Sequence, residues 1–170
     1  MSKKKKKILT ITSAIVTIGI AIFLLMNRTN LVDDGLPAIF VSETTASAGG
    51  EVSVNISVRN NPGLAGFILE VDYDEQMLTP IELVRGEVIQ QGLFDSNLTA
   101  KERTDSIKVV WFDVSDIDED GELYSIKFKV AGDGTGRTPI TIASEGGNIS
   151  NQELEFVDFK LIGTDIRIAR

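Results

Sequence analysis

Two groups of acidic side chains in this sequence could do chemistry. The first is Glu70, Asp72, Asp113 and Glu145, which lie on or beside stretches of alternating polar and apolar residues. Two such acids at a set separation would suffice for glycoside hydrolysis, one donating a proton and the other acting as base or nucleophile. The second is Asp116-Ile117-Asp118-Glu119-Asp120-Gly121, which copies the opening half of a helix–loop–helix calcium loop. Position twelve of such a loop needs a bidentate Glu, but here it is Lys127, and a strand pattern follows where a helix should. That segment reads as an acidic turn, and no metal site is expected. The chain has no His and no Cys, so the usual nucleophile–base pairs are missing. A quarter of the residues are charged, so acids on a solvated strand face need no catalytic explanation. The reading is a protein that is not an enzyme and carries no cofactor.

The charges are unevenly placed. Lys3 to Lys7 and Arg28 precede any acid, the first of which is Asp33. The rest of the chain holds 11 Lys and Arg against all 25 Asp and Glu, a net charge of −14. So acidic a domain repels phosphate backbones, which argues against a nucleic-acid partner. Ile8 to Met26 carries no charge, and as a helix it would span roughly 28 Å, close to the hydrocarbon thickness of a bilayer. Residues 1–28 are therefore expected to form a signal anchor or transmembrane helix. No small-x-small cleavage site follows Leu24-Leu25-Met26-Asn27-Arg28, which favours an uncleaved anchor over a cleaved signal peptide. The lysines would stay cytoplasmic and the acidic domain would face outward; cleavage would release it as a secreted protein.

Any site must be positioned by what comes next. Residues 29–37, with Asp33-Asp34-Gly35 and Pro37, read as a linker, and residues 38–170 as one domain. Its dominant period is two. Glu51 to Val58 alternates without a fault; Phe67, Leu69, Val71 and Tyr73 share one face; Ile107, Val109 and Trp111 repeat the pattern, as do Ile126, Phe128 and Val130. Turn residues punctuate these runs at Ala48-Gly49-Gly50, Asn60-Asn61-Pro62-Gly63, Asp120-Gly121 and Gly132 to Gly136. No convincing helical period follows residue 38. The pattern predicts an all-β sandwich or jelly roll, with Gly86 to Asp105 as its least regular stretch and one short strand around Phe94 to Leu98.

Several runs, in order, resemble a cohesin domain. They are Ala38 to Glu43 with Ala48 to Val54, then Asn60 to Phe67, Val71-Asp72-Tyr73-Asp74 with Leu78, Gly86-Glu87, Ile107 to Asp113, and Asp120 to Val130. The likeness covers essentially residues 38 to 168. It implies a nine-stranded jelly-roll sandwich, non-catalytic and monomeric when free. One sheet face would dock a dockerin, a small calcium-loaded helical module carried by a cellulosomal enzyme or scaffold, with the calcium belonging to the partner. Joined to the N-terminal segment, the resemblance implies tethering of that partner at a Gram-positive-type cell surface.

Strand parity selects the side chains that would meet a partner. If Phe67 to Tyr73 fill the core, Gly66, Ile68, Glu70 and Asp72 point outward. If Ile107, Val109 and Trp111 point inward, Val110 and Phe112 point outward. In the resemblance these two strands belong to the docking sheet, so Ile68, Val110 and Phe112 would form an apolar patch rimmed by Glu70, Asp72 and Asp113. Asp95, Ser96 and Asn97 would add polar contacts from the irregular stretch. Many cohesins carry Asn and Asp where this chain has Gly66 and Ile68, which implies a more apolar contact here. Two other readings stay open, a carbohydrate-binding module of the same architecture and a surface spacer. Flat sugar-binding faces need coplanar aromatics, and with Trp111 and Tyr73 assigned to the core only Tyr124 and some Phe remain.

Overall fold

A computed structural model of the chain describes residues 34–98 and 106–170. The expected anchor, residues 1–28, lies outside them, as does most of the expected linker. The domain is a compact unit spanning Gly35–Arg170. Among the described residues no helix is long and apolar enough to cross a membrane, and the regular elements are strands.

There are twelve: β1 (Ala38–Val41), β2 (Thr45–Ser47), β3 (Glu51–Arg59), β4 (Leu64–Tyr73), β5 (Leu78–Arg85), β6 (Leu93–Ser96), β7 (Ser106–Ile117), β8 (Gly121–Val130), β9 (Gly136–Ala143), β10 (Ile149–Ser150), β11 (Lys160–Ile162) and β12 (Thr164–Ala169). They form a five-stranded sheet in the order β11-β1-β3-β8-β5 and a seven-stranded sheet in the order β2-β12-β9-β4-β7-β6, with β10 also paired to β4. Most connections between the long strands cross from one sheet to the other, as a sandwich requires.

The expected nine strands are thus twelve, for a local reason. The first expected strand is split: β1 pairs with β3 in one sheet and β2 with β12 in the other. The two closing strands, expected separately around Phe159–Leu161 and Ile166–Ile168, meet at Gly163, with β11 beside β1 and β12 beside β9. A Cβ at Gly163 would stand 2.4 Å from the Ile140 carbonyl oxygen, so only glycine lets the strand change sheets there.

Period-two alternation puts the expected residues in the core. Val52, Val54, Ile56 and Val58 of β3 are buried, as are Phe67, Leu69, Val71 and Tyr73 of β4 and Ile107, Val109 and Trp111 of β7. Aromatic rings tie the two sheets together: Phe67 lies 5.9 Å from Tyr124 and Tyr73 5.1 Å from Phe128, centroid to centroid, while Trp111 packs beside Phe67 within its own sheet at 5.7 Å. Tyr124, left available for a sugar platform by the sequence reading, is fully buried. On β8 it stands two residues before the buried Ile126 and opposite the buried Ile56 of β3, so it continues the inward row of Ile126, Phe128 and Val130.

Candidate functional site

The outer face of the seven-stranded sheet is set by the pairing of β4 with β7. Ile68 stands opposite Val110, Gly66 opposite Phe112, Glu70 opposite Lys108 and Asp72 opposite Ser106. Because their neighbours Phe67, Leu69, Val109 and Trp111 point into the core, these residues must point out. Ile68 is 38% exposed and Phe112 54%, while Val110 between them is half-buried. Gly66 makes room: a Cβ there would lie 3.5 Å from the Phe112 Cβ and 3.4 Å from the Trp111 carbonyl oxygen. Its part is to supply a low floor beside Phe112.

β6 extends the same rows. Leu93 pairs with Phe112 and Asp95 with Val110. Leu93 is 56% exposed, so the apolar surface runs Leu93–Phe112 in one row and Val110–Ile68 in the next. Asp95 is exposed, and its carboxylate accepts the Ser96 amide. Asn97, expected to add a polar contact, is also tied into the sheet. Its Oδ1 accepts the Lys108 amide at 2.9 Å and its Nδ2 donates to the Ser106 carbonyl, so it continues the sheet beyond the strand.

The polar rim is asymmetric. Glu70 and Lys108 form an ion pair at 2.7 Å. The hydrogen bond and the charge of Glu70 raise the Lys108 pKa above its ordinary value. Asp72 is exposed and its Oδ2 accepts the Thr141 hydroxyl at 3.3 Å. Asp113, expected in the rim beside Phe112, stands where the β4–β7 register breaks between Gly66 and Leu64. It is half-buried, alternates with Phe112, and its Oδ1 accepts the Val114 amide. The bulge sets it apart from the line of Glu70 and Asp72, and it lines the trough beside Phe112 and Val114 instead.

Three contributors escaped the sequence reading. Leu93 could have been found by applying the parity argument to β6, whose Phe94 packs inward against Tyr124. Val114 follows Phe112 past the bulge. Leu154 belongs to a stretch with no usable period, a hairpin closed by hydrogen bonds between Asn151 and Glu155 and by a bridge from Ser150 to Phe156. Its backbone is left-handed, φ 63°, and its side chain is 82% exposed. Gly66, Ile68, Val110, Phe112, Val114 and Leu154 line one shallow open trough of about 570 Å³.

The acidic turn is structural. Asp120 accepts the amides of Asn60 and Asn61, both at 3.0 Å, which pins the β3–β4 turn, and Asp116 accepts the Gln152 amide at 2.7 Å. Among the described residues no group of three or more acids is arranged to hold a metal ion. As for Glu70, Asp72, Asp113 and Glu145, the first three are each engaged as described, and Glu145 lies in the loop after β9.

A sheet face apolar at its centre and charged at its edge has the anatomy of a protein-binding surface. Residues 37–159 match the model of the cohesin domain, and the chain belongs to that family. It is 24% identical over 174 residues to a cellulosome-anchoring protein of Acetivibrio thermocellus, a match covering 98% of this chain and 38% of that protein. The chain thus spans well under half the length of that relative. Solved cohesins share the fold. One from a type I cohesin–dockerin complex of Clostridium thermocellum superimposes with TM-score 0.71 at 23% identity, covering 79% of this chain and 99% of the other. A non-cellulosomal cohesin of the archaeon Archaeoglobus fulgidus gives 0.69 at 22% identity, covering 79% and 92%. The seventh type I cohesin of a Pseudobacteroides cellulosolvens scaffold protein gives 0.65 at 24% identity, covering 79% and 92%.

Proposed function

We propose that this chain docks a dockerin module on the outer face of the seven-stranded sheet and so tethers a dockerin-bearing enzyme or scaffold protein at the cell surface. The observation that carries the reading is the paired rows Ile68–Val110 and Gly66–Phe112–Leu93, apolar and outward, beside the Glu70–Lys108 pair. An apolar centre drives association, and a charged rim steers the partner and fixes its register. The solved relatives in complex with dockerins support the choice of partner. Tethering draws on the uncharged Ile8–Met26 run behind five lysines, and on the anchoring relative. The calcium in this assembly belongs to the dockerin, and the chain itself needs no cofactor.

The test is titration calorimetry of the domain against a panel of calcium-loaded dockerins, with and without chelator. Binding is expected, and it is lost when chelator unfolds the dockerin. Ile68→Asp with Val110→Asp places two carboxylates in the dry centre and weakens binding by about a hundredfold or more, with the melting temperature nearly unchanged. Undiminished binding by that variant would move the contact to another face. Sugar binding is disfavoured by the burial of Trp111, Tyr73 and Tyr124. Co-sedimentation of the isolated domain with insoluble polysaccharide would reinstate it.

A further inference from the structure

Arg85 ends β5, which belongs to the five-stranded sheet, yet its side chain reaches the stretch that delivers β6 to the other sheet. Nη1 donates to the carbonyls of Ile89 at 3.0 Å and Gln91 at 2.7 Å, and Nη2 donates to Gly92 at 3.1 Å. The guanidinium also lies 5.0 Å from the centroid of the Phe94 ring, which it covers. Gln91 is held a second time, because its carbonyl accepts the Trp111 indole N–H at 2.8 Å. One planar cation thus gathers three carbonyls that would otherwise converge with their negative ends together.

β6 is held by strand pairing along one side only, with the Asn97 side chain continuing that pairing past its end. It is four residues long and lies at the edge of its sheet, with β7 as its neighbour. Its inward Phe94 touches Arg85 and Tyr124, and its outward Leu93 and Asp95 complete the rows of Phe112 and Val110. We infer that Arg85 is a positioning residue for docking, a strut from the opposite sheet that fixes β6 so that Leu93 and Asp95 meet the partner. The inference rests on the docking reading for its consequence and on the hydrogen bonds alone for its mechanism.

Lysine at this position keeps the charge but offers a single ammonium in place of the fork, and it cannot lie flat on Phe94. Arg85→Lys should leave the melting temperature within a few degrees of wild type. Amide hydrogen exchange should accelerate about tenfold or more at Leu93–Ser96 and stay unchanged in β3 and β8, because only the edge strand is released. Binding to a calcium-loaded dockerin that the wild-type domain captures should weaken by about five- to tenfold, chiefly through faster dissociation. Arg85→Ala should show the same pattern, more strongly. Wild-type exchange at Leu93–Ser96 in both variants would overturn the strut, whether or not any dockerin binds. Faster exchange throughout the domain would overturn it too, by making Arg85 a general stabiliser. Faster exchange confined to β6 with undiminished binding would refute the link to docking. If the wild type itself captures no dockerin, the docking reading fails while the exchange experiment still decides the strut.

Discussion

Tyr124 offers a measurement in which burial, hydrogen bonding and ionisation can be separated by removing one atom. Its side chain is fully buried, stacked on Phe67 and tilted against Phe94, and its hydroxyl finds no hydrogen-bond partner among the described residues. Tyr124→Phe keeps the ring and its contacts and deletes only the stranded oxygen. Leaving such a group unpaired costs about 1–3 kcal/mol, so the variant should be more stable than wild type by about 1 kcal/mol or more at pH 7. In a domain of this size that is a rise in melting temperature of roughly 3–5 °C.

The pH dependence gives a second, independent reading of the same oxygen. Burial raises the Tyr124 pKa well above its ordinary value of 10.0. Above pH 10 the unfolded chain therefore releases this proton while the folded chain keeps it. A group whose folded pKa is raised contributes stability that is complete below the unfolded value and is lost as pH climbs past it. Above about pH 10 the wild type should lose about 1.4 kcal/mol per pH unit through this group, a loss that Tyr124→Phe lacks. Lys108 also titrates in this range, but it is common to both proteins and cancels in their difference. Urea unfolding at intervals from pH 7 to the alkaline limit of reversibility would show the two curves parallel at first and diverging above pH 10. Destabilisation by Tyr124→Phe at pH 7 would mean that the hydroxyl is hydrogen-bonded, and parallel curves at high pH would mean that it ionises within the fold.

Two further outcomes test the framework around the face. Asp120→Ala removes the acceptor shared by the Asn60 and Asn61 amides and should cost about 1–2 kcal/mol in chemical denaturation; calcium should leave the wild-type melting temperature unchanged, since the Asp120 carboxylate serves the turn. Gly163→Ala drives a Cβ to within 2.4 Å of the Ile140 carbonyl oxygen at the crossing between sheets and should cost about 3 kcal/mol, read as a lower urea midpoint at unchanged slope.

The fold was legible wherever period two was uninterrupted. On β3, β4 and β7 one face is buried and the other is not, so a one-residue error would have exposed every core side chain and the parity argument had little room to fail. Ile68, Val110 and Phe112 consequently lie outward as that argument requires. It lost its hold where geometry departs from alternation. Asp113 falls in the register shift after Phe112, whereas Tyr124 was within reach of the same rule, since period two carried back from Ile126 puts it inside. The first strand changes sheets and so became two. The part that Asn97 plays within the fold had no signal in the sequence, since its amide continues the pairing with β7 past the end of the strand. Leu154 had no signal at all, since its exposure follows from a turn closed by hydrogen bonds between Asn151 and Glu155.

The division of labour between the two faces of β4 and β7 explains how so apolar a surface can persist on an acidic domain. The inward residues Phe67, Leu69, Trp111 and Val109 are packed against the opposite sheet, so the outward residues contribute little to folding and are free to vary. Charged groups border the Val110–Ile68 row, with Asp95 at its β6 end and the Glu70–Lys108 pair in the row beside it. With the domain carrying a large net negative charge, two free copies repel as their faces approach, which opposes self-association through the apolar centre. A partner presenting basic residues around its own apolar ridge meets no such barrier. If this face docks a partner as proposed, the charge would select against self-pairing and Ile68, Val110, Phe112 and Leu93 would supply the affinity. Raising the salt concentration should therefore slow partner association while leaving dissociation nearly unchanged.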